Sequence, residues 1–152
     1  MRIWFPLIHM SSADSASIKD HDLDWLLENL RGKTPEIRHV LVLSKDGLRL
    51  CFTSGLDVDQ ADHLAAIASG IQSLALSASA EFGSGLGAGQ SMVEFPGGLL
   101  LIVSAGEGAH LTVVASDDAD VGLIGHTMNE LVEQIGSYLT VPPRQPPASP
   151  AP

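Results

Sequence analysis

The sequence predicts an α/β fold of the α+β kind: one domain built on a mostly antiparallel five-stranded sheet with flanking helices. Three observations carry this. Three segments repeat apolar residues at three- and four-residue steps, five short runs of Val, Ile and Leu are bounded by Gly- and Pro-containing turns, and the segments follow one another in the order α-β-β-α-β-β-β-α. The links within the first pair of strands and within the last three are a few residues long, which suits antiparallel hairpins.

The first helix is predicted from Asp20 to Asp22, either of which can cap it, with Leu23, Leu26, Leu27 and Leu30 on one face and Gly32 and Pro35 as stops. Ile37 to Leu43 reads as a strand, and Asp46-Gly47 is a hairpin signal before Leu48 to Phe52. Asp57 or Asp59 caps a second helix that runs to about Phe82. Its large apolar residues, Leu64, Ile67, Ile71, Leu74, Ala78 and Phe82, form one face, while Ala66, Ser69, Gly70, Ser73, Ser77 and Ala80 put little bulk on another. One of these faces is expected on the sheet. The small-residue face fits either a closely approaching second copy of the helix or plain solvent, and spacing alone does not choose between them.

Gly83 to Gly89 follows, with glycines that alternate. That spacing matches neither a dinucleotide fingerprint nor a phosphate loop, so it reads as a connector. Ser91 to Phe95, Leu99 to Val103 and Leu111 to Ala115 are then three strands, the middle one apolar on both faces and therefore interior, the first nearer an edge. Asp117, Asp118 and Asp120 precede a last helix whose core stripe is Val121, Ile124, Met128, Leu131, Val132, Ile135 and Leu139.

The domain is expected over residues 20–140. Residues 1–19 read as a flexible leader, too short in its apolar run for a signal peptide, and the polar stretch after Met10 makes that residue a candidate start beside Met1, which intact mass would decide. Residues 141–152 are Pro-rich and read as an extended tail or a ligand for a proline-recognising domain.

Composition excludes several classes. With 18 acidic against eight basic residues and a net charge of −10, the chain is a poor partner for nucleic acid or a bare anionic membrane. No apolar run is long enough to insert in a bilayer. Cys51 is the only cysteine, so neither an intrachain disulfide nor a cysteine zinc site is available. The histidines, His9, His21, His39, His63, His110 and His126, lack the close spacing of a zinc helix, no serine sits in a nucleophile elbow, and Glu81 and Glu94 have no paired carboxylate. No catalytic, metal or cofactor residue is predicted. A small-molecule sensor remains the alternative to a protein-binding role, with Cys51, Met92 and Phe95 as candidate pocket residues.

The helix Ala66 to Leu74, the strand pair Met92 to Leu101 with Pro96-Gly97-Gly98 at its turn, the strand Leu111 to Ala115 and the helix Asp120 to Leu131 together resemble the roadblock (dynein light chain) family, in particular the bacterial conservon-type members. The resemblance covers about residues 21–140. One departure is visible in the last helix, where His126-Thr127-Met128 replaces the Tyr-Glu-Met of such relatives.

The resemblance implies a non-catalytic homodimer formed through the long helix and the third strand. On that basis Ala66, Ser69, Gly70, Ser73, Ser77, Ala80, Met92 and Glu94 are the predicted dimer residues. It implies a Ras-like small GTPase as partner, a sensor histidine kinase as a further one, and a place at the cytoplasmic side of the membrane. It assigns no GTPase-binding residue. Arg31, Arg38 and Arg49 read as solvated ends and edges.

Overall fold

The interior strands are apolar on both sides, and a sheet of that kind must be covered on both faces. The computed structural model, which describes residues 23–139, supplies this cover with α1 (residues 23–33), α2 (Val58–Phe82) and α3 (Val121–Leu139). The strands are β1 (Ile37–Ser44), β2 (Arg49–Phe52), β3 (Ser91–Phe95), β4 (Gly98–Ser104) and β5 (Ala109–Ala115). They form one open sheet in the order β2-β1-β5-β4-β3, with every neighbouring pair antiparallel. The expected element order is therefore the observed one. The expected leader, tail, candidate start at Met10 and capping residues Asp20 to Asp22 lie outside the described residues.

Alternation along the strands sorts the core into two layers. Val40, Val42, Leu99, Leu101, Val103, Leu111 and Val113 point to the face covered by α1 and α3, where Leu27, Ile124, Met128 and Ile135 are fully buried against them. Leu41, Leu43, Leu100 and Ile102 point to the face covered by α2. Burying one such side chain contributes roughly 1.5–3 kcal/mol, so both layers hold the sheet firmly.

The long helix lies on the sheet differently from the sequence expectation. Its buried stripe is Ala61, Ala65, Ala68 and Gln72, with Leu64 and Ile71 packed at one flank. Ile67, Leu74 and Phe82, expected in the same apolar face, are 52%, 73% and 85% exposed. Small side chains bring the helix axis close to the sheet, and the large ones are displaced to the side. The helix starts at a capping box: the Gln60 N–H donates to the Asp57 carboxylate at 2.8 Å and the Asp57 N–H to the Gln60 side chain at 3.1 Å.

Two glycines meet steric demands that fix the sheet's turns. Gly47, at φ +85°, closes the β1–β2 hairpin, and a Cβ there would stand 3.2 Å from Cβ of Ser69 on α2. Gly98 opens β4 under the Phe95 ring, where a Cβ would come within 2.5 Å of Cε2. The first helix runs one residue beyond Gly32 and stops ahead of Thr34 and Pro35. At the start of α3 the Leu123 N–H donates to the Asp120 carboxylate at 3.1 Å.

Candidate functional site

An open sheet has two rims, and this one treats them differently. At the β2 rim the strand is four residues long, its register shifts between Val42 and Leu43, and Arg49 is held to Asp62 of α2 at 2.7 Å and lies over the Phe52 ring. Short length, a bulge and a charge all discourage further pairing. The β3 rim has no bulge, and its charged residue is Glu94. Its five residues pair in unbroken register with β4 on one side only, and Met92, Val93 and Phe95 are 49%, 37% and 42% exposed.

The exposed side of α2 continues this apolar edge. Asp62 and Ser69 sit on the side of the helix that reaches β2 and the β1–β2 turn, through the Arg49 ion pair and through the Ser69 hydroxyl donating to the Lys45 carbonyl. Ile67 and Leu74, beyond Leu64 and Ile71, lie exposed on the opposite side of the helix. Val93 and Phe95 share that sheet face, because their partners in register are Leu100, which α2 covers, and Gly98. Ile67 and Leu74 on α2 and Val93 and Phe95 on the unpaired strand are thus all exposed apolar groups on the α2 side of the sheet, the usual character of an association surface.

The predicted dimer residues distribute as follows. Ala66, Gly70, Ser73, Ser77 and Ala80 are exposed on α2. Ser69 is half-buried against its own hairpin, beneath Gly47. Met92 and Glu94 belong to the free edge strand, but their register with Leu101 and Leu99 points their side chains to the α1/α3 face, away from α2. Ile67, Leu74, Val93 and Phe95 are exposed large apolar residues that the predicted set does not contain. The usable signal was an excess of large apolar residues on α2 over what a helix already seated on alanines needs.

The candidate sensor pocket does not assemble. Cys51 is buried toward α1 and α3, Met92 points to that side at the rim, and Phe95 points to the other. Hollows do occur elsewhere among the described residues. A groove of about 70 Å³ between α1 and α3, bordered by Leu30, Lys33, Thr127 and Glu130, is far below the roughly 300 Å³ at which ligand pockets begin. A cleft of about 320 Å³ lies between α2, the connector and the ends of β4 and β5, lined by Lys45, Ser69, Gln72, Ser73, Ser104 and His110, with Leu76, Gly87 and Ala88. Gln72 ties its walls together, accepting from the Ser91 hydroxyl at 2.6 Å and donating to the Gly89 carbonyl at 3.4 Å.

Three arginines are engaged within the chain. Arg31 pairs with Glu28 at 2.7 Å, Arg38 donates to the Gly97 carbonyl, and Arg49 holds Asp62. Arg38 and Arg49 are exposed and Arg31 is half-buried, in keeping with their reading as solvated ends and edges, and each in addition ties two parts of the chain. His126 contacts Glu130 at 2.9 Å on the exposed face of α3, beside Thr127, whose hydroxyl donates to the Leu123 carbonyl, while Met128 is buried. Burial, then the charges of Arg31 and Arg38, push the His39 pKa down; burial, then Lys45, does the same to His110. No cluster of metal-ligating side chains occurs among the described residues.

An open antiparallel sheet with two helices on one face, a long helix on the other and one sticky rim defines a small association domain. The chain belongs to the Roadblock/LC7 domain family, whose pattern matches residues 23–115. A Roadblock/LC7 domain from Streptomyces avermitilis is 41% identical, with a TM-score of 0.73 over 76% of this chain and 96% of that one. An MglB solved in a tetrameric arrangement and the gliding protein MglB from Thermus thermophilus share the fold at 18% identity each, with TM-scores of 0.71 and 0.68. They cover 79% of this chain in both cases and 89% and 90% of their own. No curated protein matches the chain.

Proposed function

We propose that this chain is a non-catalytic homodimeric regulator or scaffold that binds a Ras-like small GTPase and adjusts its nucleotide cycle. The observation that carries the reading is the unpaired β3 rim, with Val93 and Phe95 exposed on its α2 side and Ile67 and Leu74 exposed on α2 itself. Two β3 edges meeting about a two-fold axis would join two sheets into one and bring the apolar flanks of two α2 helices together. That arrangement removes from water the side chains the single chain leaves exposed.

The GTPase enters through family membership. A dimer can act on it without donating a catalytic group, since a surface that binds one switch conformation better than another shifts the balance between them by that difference in affinity. The intrachain engagement of Arg31, Arg38 and Arg49 favours this mode over an arginine finger. We place the complex on the cytoplasmic side of a membrane, with a sensor histidine kinase as a further partner. No described helix is long and apolar enough to cross a membrane.

The test is GTP hydrolysis and release of labelled GDP by a Ras-like GTPase from the same genome, with the chain added in excess. A change in either rate that saturates with added chain is expected. Identical rates with and without it, together with no complex by light scattering, would remove the GTPase from the reading.

A further inference from the structure

The geometry points to a binding site for a small phosphorylated metabolite in the cleft between α2, the connector and the ends of β4 and β5, with Lys45 holding the phosphate. This goes beyond the regulator reading and stands without it.

The size is right. About 320 Å³ accommodates a phosphate with a short organic remainder and lies at the lower end of ligand pockets. The chemistry is more telling. In a chain with 18 acidic and eight basic residues, no Asp or Glu is among the residues lining this cleft, and its charged lining residue is a lysine. Among the described residues Lys45 has no ion pair. The hydroxyls of Ser73 and Ser104 and the imidazole of His110 also line the cleft, three groups able to donate to an oxyanion, while the Ser69 hydroxyl is given to the Lys45 carbonyl.

The site is also anchored. The Lys45 N–H donates to the Gly108 carbonyl at 2.9 Å and its carbonyl accepts from Ser69, so the root of the lysine is fixed between the β4–β5 turn and α2. Ser69 and Ser73 lie one helical turn apart on α2, whereas Ser104 and His110 face each other in the β4–β5 register. These groups come from different elements and converge on one volume. The opposite wall is Gly87 and Ala88, where no side chain longer than a methyl covers the backbone, and Leu76 and Ala88 offer apolar contact to an organic remainder. The small residues Ser69 and Ser73 therefore have a use apart from helix–helix contact.

The experiment is a 15N-edited NMR titration of the full chain with glycerol 3-phosphate at constant ionic strength, with glycerol as the uncharged control. Saturable shifts confined to the amides of Lys45, Ser69, Ser73, Gly87, Ala88, Ser104 and His110 are expected, with none for glycerol. Lys45 is exposed, so Lys45→Ala keeps the fold while weakening binding roughly ten- to a hundredfold through loss of a charge-assisted bond. Ser104→Ala, at the exposed end of β4, should weaken it further. The proposal is overturned by an absence of saturable shifts at millimolar ligand, by shifts spread evenly over the chain, or by an affinity unchanged in Lys45→Ala. The titration uses the chain alone, so its failure would leave the GTPase reading where it stands.

Discussion

Replacing Ile67 with glutamine tests the association surface at a residue that contributes little to the isolated fold. The side chain is 52% exposed in the single chain. Fully burying such a side chain is worth roughly 1.5–3 kcal/mol, so covering the remaining half contributes about 0.8–1.6 kcal/mol per copy and about 1.6–3 kcal/mol for a symmetric pair. The dimer dissociation constant should rise by a factor of about 15 to 200. An amide left without a partner in the closed interface would add to this. Glutamine is a good helix former, so α2 itself should not weaken. Light scattering across a dilution series reads the constant, and urea unfolding of the dissociated chain controls for the fold. A wild type and variant that dissociate at the same concentration would refute the reasoning, as would a wild type that is monomeric throughout.

Four further outcomes follow from the geometry. Gly47→Ala should lower stability by about 1–2 kcal/mol in urea titrations, because φ of +85° disfavours a side chain and the new Cβ meets Ser69 at 3.2 Å. Gly98→Ala should displace the Phe95 ring and loosen the β3–β4 pair, visible as faster amide exchange in β3; unchanged exchange would contradict the close approach. Asp57→Ala should cost about 0.5–2 kcal/mol by removing the α2 capping box, and a midpoint in urea equal to the wild type's would count against it. His39 and His110 titrate below their ordinary 6.5, so the unfolded chain binds their protons first: stability is full above about 6.5 and falls as the pH drops through the gap to the folded values. Burial raises the Glu28 pKa, but bonds from the Ser54 N–H and from Arg31 outweigh it, so its contribution is lost lower still, below its ordinary 4.5. Urea titrations from pH 8 to pH 5 should slope less in a His39→Gln, His110→Gln double variant, and equal slopes would show that other groups set the dependence.

Much of this fold is legible in the sequence because its cover is amphipathic in the ordinary way. The α1 stripe of Leu23, Leu27 and Leu30 and the α3 stripe of Ile124, Met128, Leu131 and Ile135 each seat against one face, and β4, apolar on both sides, lies between layers as its composition demands. The long helix misleads because bulk is a poor guide to its seat. Ala61, Ala65 and Ala68 fit a close helix–sheet contact and Leu64 and Ile71 pack at its flank, while the larger Ile67 and Leu74 are left exposed, so part of the stripe that looks like core faces outward. Which sheet face Met92 and Glu94 take is set by the strand's register, which alternation in a five-residue run does not fix; pairing with Leu101 and Leu99 turns them to the α1/α3 side. The cleft had no local signature at all. Lys45, Ser69, Ser104 and His110 are contributed by a turn, a helix and two strands, and only the tertiary fold brings them together.

The central claim is that β3 is an edge awaiting its copy, and hydrogen exchange along Ser91–Phe95 measures that directly. The alternate amides of β3 that do not bond to β4 should be protected at high protein concentration and lose protection on dilution, while those bonded to β4 stay protected throughout. Equal and rapid exchange of the outward amides at every concentration would show that the rim stays open to water, and the dimer would fall with it.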